Sequence, residues 1–88
     1  MKLQDFAETC ERLTSGGFQV SKAQYDDQVF GSWAIELFVG RRIVWDGKEG
    51  CLVVQARRGV EWQDLWIGKD RAEQTPCRAV QEVAAARD

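Results

Sequence analysis

The sequence predicts an α+β domain spanning residues 1–88: an N-terminal helix, a three- or four-stranded antiparallel β-meander and a C-terminal helix, in the order α-β-β-β-(β)-α. Apolar residues recur at helical spacing in residues 3–13, while those in residues 33–39 alternate with a period of two. Asp46-Gly47 and Arg58-Gly59 fall between short runs rich in β-branched and aromatic residues, as hairpin turns do. A chain of 88 residues is long enough for one small core and too short for a second.

In the first helix Leu3, Phe6, Ala7, Cys10 and Leu13 share one apolar face. Ser15-Gly16-Gly17 then stops it, because glycine takes the left-handed conformation that closes a helix without a Cβ penalty. Residues 18–30 read as a loop with at most a short strand at its start, since Phe18 and Val20 alternate only briefly before a polar stretch around Tyr25, Asp26 and Asp27. Trp33, Ile35, Leu37 and Val39 alternate with Ala34, Glu36 and Phe38, the pattern of a strand with one strongly apolar face. Gly40-Arg41 turns the chain into residues 42–45, and Asp46-Gly47 carries the most recognisable turn chemistry in the chain. Gly50 ends that loop, residues 51–57 form a third strand, and Arg58-Gly59 reverses into residues 60–67. Thr75-Pro76 opens the last helix, threonine accepting from a free first-turn amide and proline being tolerated at the first helical position. Cys77, Val80, Val83 and Ala84 form its apolar stripe, and Arg78, Gln81, Glu82 and Arg87 its solvent side.

Pairing Val39 with Ile43 sets Leu37 opposite Trp45 and gives a core face of Trp33, Ile35, Leu37, Val39, Ile43 and Trp45. In that register the reverse face carries Phe38, Val44, Leu52, Val54 and Ala56, apolar where an open antiparallel sheet is normally polar. Either residues 18–30, the final helix or a different sheet register accounts for this face, or a partner covers it. Trp62 and Trp66, two of the four tryptophans, share a face of the last strand with Val60 and Asp64, a mixture of aromatic and polar groups favoured in interfaces. The candidate partner interface is therefore Phe38, Val44, Leu52, Val54, Trp62 and Trp66. Arg41, Arg42, Arg57 and Arg58 fall near one end of the sheet, as candidate contacts for an anion or an acidic partner or as solubilising strand ends.

Composition excludes several function classes. With 12 Lys and Arg against 14 Asp and Glu the net charge is −2, so no broad electropositive field attracts nucleic acid or anionic lipid. No apolar stretch reaches membrane-spanning length and the first residues lack a leader pattern, so a cytoplasmic protein is expected. Cys10, Cys51 and Cys77 are odd in number and widely spaced, which suits reduced, half-buried fillers rather than disulfides or a zinc site. The chain contains no histidine, which removes Ser-His-Asp and Cys-His nucleophilic systems and every imidazole metal site. The carboxylate groupings Asp26-Asp27, Asp46 with Glu49, and Glu61 with Asp64 read as solvated surface, and the Asp46-Gly47-Lys48-Glu49-Gly50 turn is too short for a calcium loop. Gly16-Gly17 ends a helix instead of following a strand, so no phosphate-cradling loop is present, and no catalytic residue, metal or cofactor is expected.

The reading that remains is a non-catalytic protein-binding module, or a homo-oligomer such as a dimer, acting through the sheet. Phe30-Gly31-Ser32-Trp33 opens one strand and Arg42-Ile43-Val44-Trp45-Asp46 forms the next; over residues 3–67 this order resembles that of small bacterial immunity proteins that neutralise secreted toxins. That resemblance implies a protein partner, a toxin, held by the domain's surface. A rival class is a small-molecule-binding or catalytic domain with a pocket between sheet and helices, drawing on Tyr25, Glu36 or Asp64, although no pair of polar residues converges by spacing.

Overall fold

A computed structural model describes residues 1–86; Arg87, assigned above to the outer side of the last helix, lies outside the described residues. Helix α1 (Leu3–Ser15) leads into strands β1 (Val20–Asp26), β2 (Ser32–Leu37), β3 (Arg41–Asp46), β4 (Cys51–Arg58) and β5 (Glu61–Gly68), a 3-10 turn at Arg71–Glu73 and helix α2 (Pro76–Ala85). The strands pair antiparallel in chain order, β1-β2-β3-β4-β5. The class is α+β as expected, but the sheet has five strands instead of three or four.

The additional strand is β1, built from residues expected to form a loop. It lacks alternation because it is an edge strand: Ser21, Lys22, Ala23 and Gln24 are all exposed, and pairing with β2 supplies what periodicity does not. Lys22 lies opposite Glu36, and Tyr25 lies opposite Trp33 with its ring 5.8 Å from that of Phe6. A lysine on an exposed edge also discourages unwanted strand pairing.

Local chemistry sets both ends of α1 and the start of α2. The Asp5 carboxylate accepts from the Lys2 amide at 2.6 Å, satisfying one free donor at the start of α1. At its end the Phe18 amide donates to the Leu13 carbonyl and the Gly17 amide to that of Thr14, with Gly17 at φ 91, the paired closure that glycine permits. The inward side of α1 is Phe6, Thr9, Cys10 and Leu13, whereas Leu3 and Ala7 face solvent. Thr9 is tolerated in the core because its hydroxyl donates to the Asp5 carbonyl at 2.6 Å. In α2, Thr75 Oγ1 accepts from the Arg78 amide at 3.1 Å, and Pro76, Ala79 and Val83 are buried. Replacing Thr75 by alanine is expected to lower stability by about 1 kcal/mol, read as a shift in the urea midpoint with an unchanged slope.

The sheet register differs from the one expected. Trp33 pairs with Trp45 and Ile35 with Ile43, so the β2 residue facing a given β3 residue moves by four positions. Four is even, so Trp33, Ile35, Leu37, Ile43 and Trp45 keep the core face, but Val39 and Phe38 fall into the turn and are 63% and 72% exposed. The turn closes where the Gly40 amide donates to the Leu37 carbonyl, with Gly40 at φ 83. On the other side β3 pairs Ile43 with Val54, Trp45 with Leu52 and Arg41 with Ala56. Leu52, Val54 and Ala56 therefore face the helices and are completely buried; they are core and not a partner surface. Leu13, Ala79 and Val83 close this layer from the helix side.

Candidate functional site

α1 and α2 both pack on the same face of the sheet; the other face is open except at one end, where Val29 of the β1–β2 loop lines a shallow depression with Gln24, Ala34, Val44 and Asp46. The pairing arranges that open face in rungs across the strands. One rung runs Lys22, Glu36, Arg42, Gln55, Asp64 from β1 to β5. The next carries Gln24, Ala34, Val44, Val53 and Ile67, an almost wholly apolar row. The third carries Asp26 and Ser32 on β1 and β2, and Asp46 and Cys51 on β3 and β4. Beyond the first rung Arg57 faces Trp62.

The corner where β3, β4 and β5 meet is the most structured part of this face. The Arg42 guanidinium lies 4.3 Å above the centre of the Trp62 ring and that of Arg57 lies at 5.5 Å. Arg42 Nε donates to Gln55 Oε1, and Gln55 Nε2 donates to Asp64 Oδ1 at 2.7 Å. Partial burial lowers the Arg42 pKa, and the charges of Glu36 and Asp64 oppose that shift. The group stays cationic, because a guanidinium does not lose its proton under physiological conditions. The arrangement holds one aromatic ring and two guanidinium groups together on the open face, with Arg42 stacked over the ring.

No protein-family model, curated protein or solved structure matches this chain.

A β-bulge decides which tryptophan belongs here. β5 pairs Trp66 with Val54 but Asp64 with Gln55, so Leu65 is an extra residue and the pleat reverses across it. Trp62 consequently faces the open side, while Trp66 turns to the helix side, packs against the core and has the Arg78 guanidinium at 5.5 Å. Gly68 is small because of that turn: a Cβ there would come within 2.5 Å of the Trp66 ring. Of the six expected interface residues only Val44 and Trp62 lie on the open face. Leu52 and Val54 are core, Trp66 lies on the other side and Phe38 is in the β2–β3 turn. The contributions of Ala34, Val53, Gln55 and Ile67 were not anticipated, because they become visible only once Leu52, Val54 and Ala56 are known to point inward.

The four arginines do cluster at one end of the sheet, where the Arg57 amide donates to the Gly40 carbonyl. The pleat divides them: Arg42 and Arg57 face the open side, whereas Arg41 sits opposite the core residue Ala56, and Arg58 follows Ala56 by two residues. The polar residues considered for a pocket do not meet, since Tyr25 packs on Phe6 under α1 while Glu36 and Asp64 are on the open face. Asp26 and Asp46 serve their turns, Asp26 Oδ1 accepting from the Gln28 amide and Asp46 Oδ1 from those of Lys48 and Glu49.

Cys10 and Cys51 are half-buried, as expected of fillers, but Cys77 is exposed, in the groove that α2 forms with Arg12 and Ser15 of α1. Burial pushes the Cys10 thiol pKa up, which makes it a poor nucleophile. Among the described residues no helix is long and apolar enough to cross a membrane, and no group of three or more acidic or cysteine side chains is placed to hold a metal ion.

Proposed function

We propose that this chain is a non-catalytic, cytoplasmic protein-binding module that engages its partner through the open face of the sheet. The observation that carries this reading is Trp62 on the uncovered face with two guanidinium groups over its ring. Tryptophan and arginine dominate the residues that supply binding energy at protein interfaces, because they bury large areas in fixed geometry. The neighbouring row of Ala34, Val44, Val53 and Ile67 supplies apolar area, and Ile67 is 41% exposed. Three unpaired thiols suit a reducing compartment.

A photo-crosslinking residue at Val44 tests this in cells against one at Gln4, on the outer side of α1. Adducts are expected from the sheet position and not from the helix, and Trp62→Ala should reduce them while shifting the unfolding free energy by about 1 kcal/mol or less. Adduct mass separates a second copy from a heterologous partner such as the toxin that the sequence resemblance implies. Adducts from Gln4 alone, or from neither position, would overturn the reading.

A further inference from the structure

We infer that the occupant of the open face is a second copy of this chain, packed face to face about a two-fold axis along the row of Ala34, Val44, Val53 and Ile67; this rests on the binding-module reading above. Such an axis keeps each strand over the same strand of the copy and exchanges the rungs on its two sides. The rung on one side holds Lys22 in β1 and Arg42 in β3, alternating with Glu36 in β2 and Asp64 in β5. The rung on the other side holds Asp26 in β1 and Asp46 in β3. Rotation therefore sets Lys22 over the copy's Asp26, Arg42 over its Asp46 and Glu36 over its Ser32, each twice by symmetry. The axis itself brings the apolar row against its own image, which gives a dry centre flanked by opposite charges.

The pattern discriminates between possible arrangements. A two-fold axis running instead along β3 would set Arg42 over Arg42 and Asp46 over Asp46, opposing like charges at the centre of the contact. Aligned packing of twisted sheets at about 10 Å separation keeps the central strands in register while the edges diverge, so the Arg42 and Asp46 pairing on β3 matters most. The face is about 24 Å across for five strands and about 20 Å long, giving a total buried area on the order of 1,000 Å², at the lower end of specific interfaces. A reversible, concentration-dependent dimer follows from that size.

Sedimentation over a range of concentrations tests this with the whole chain. The wild type is expected to dimerise, and Val44→Glu, which puts two carboxylates on the axis, to be monomeric while still folded. Arg42→Glu or Asp46→Lys alone should weaken the dimer by about tenfold or more, and the two together should return it to within about threefold of wild type. A wild type that stays monomeric to about 1 mM overturns the inference. Val44 adducts to another protein would in that case leave the binding-module reading standing. A dimer indifferent to Val44→Glu, or single-variant losses that the combination does not restore, overturns it equally.

Discussion

Val54→Glu is expected to abolish folding, whereas Val44→Glu on the adjacent strand leaves the domain folded. Both valines lie in the middle of central strands and both belong to alternating apolar sets. Val54 is opposite Ile43 and Trp66 with no accessible surface, inside a cluster whose other members are all apolar. An unpaired carboxylate there costs several kcal/mol, comparable with the whole stability of about 5–10 kcal/mol expected for so small a domain. Burial raises the carboxyl pKa, so the penalty is smallest below the unfolded glutamate value of about 4.3 and grows as pH rises above it. Val44 stands between Ala34 and Val53 on the open face, where a glutamate keeps its water and should cost about 1 kcal/mol. Tryptophan emission reports the outcome, because Trp33 and Trp45 are buried and shift to the red on unfolding. A cooperatively folded Val54→Glu variant at neutral pH would show that β3 and β4 pair in another register.

Gly47→Ala is expected to cost about 2–3 kcal/mol, more than Gly50→Ala in the same loop. Turn propensity alone suggests the opposite, since Gly50 has φ 68 and Gly47 has no positive φ. The difference lies in what surrounds them. A Cβ on Gly47 would run into the Phe30 carbonyl oxygen and sit 2.8 Å from its carbon, so a backbone and not a movable side chain must give way. That backbone is itself constrained: Phe30 has φ 55 and Gly31 φ 68, and the Ser32 amide donates to the Val29 carbonyl at 2.9 Å. The Gly47 amide also donates to Ser32 Oγ at 2.9 Å, joining the two loops. Alanine at Gly50 meets nothing within 4 Å and carries only the left-handed penalty of about 1–2 kcal/mol. Urea unfolding measures both, and hydrogen exchange should show β1 amides opening earlier in Gly47→Ala. A larger effect at Gly50 would mean that turn conformation, and not the contact between loops, selects glycine at position 47.

The Asp46-Gly47 pair illustrates how a correct sequence signal can carry the wrong cause. It does mark a hairpin loop, and Asp46 caps the Lys48 and Glu49 amides as turn chemistry predicts. The glycine answers to a different hairpin, distant in sequence, which no local pattern reveals.

By itself the sequence determined what depends on short-range physics. Helical periodicity placed both helices, Gly16-Gly17 the end of the first and Thr75-Pro76 the start of the second, alternation placed β2 with its inward face, and the lack of histidine removed whole classes of chemistry. Tertiary structure alone decided whatever turns on one residue's choice between two acceptable faces. β4 is apolar on both sides, Leu52, Val54 and Ala56 against Cys51 and Val53, so only its hydrogen bonds to β3 show which set is core. β1 is a strand because β2 offers an edge, and Leu65 bulges because the pairing on its two sides is offset by one residue. Periodicity records how buried an element is, but register is a long-range property, and a one-residue change in it exchanges core for surface.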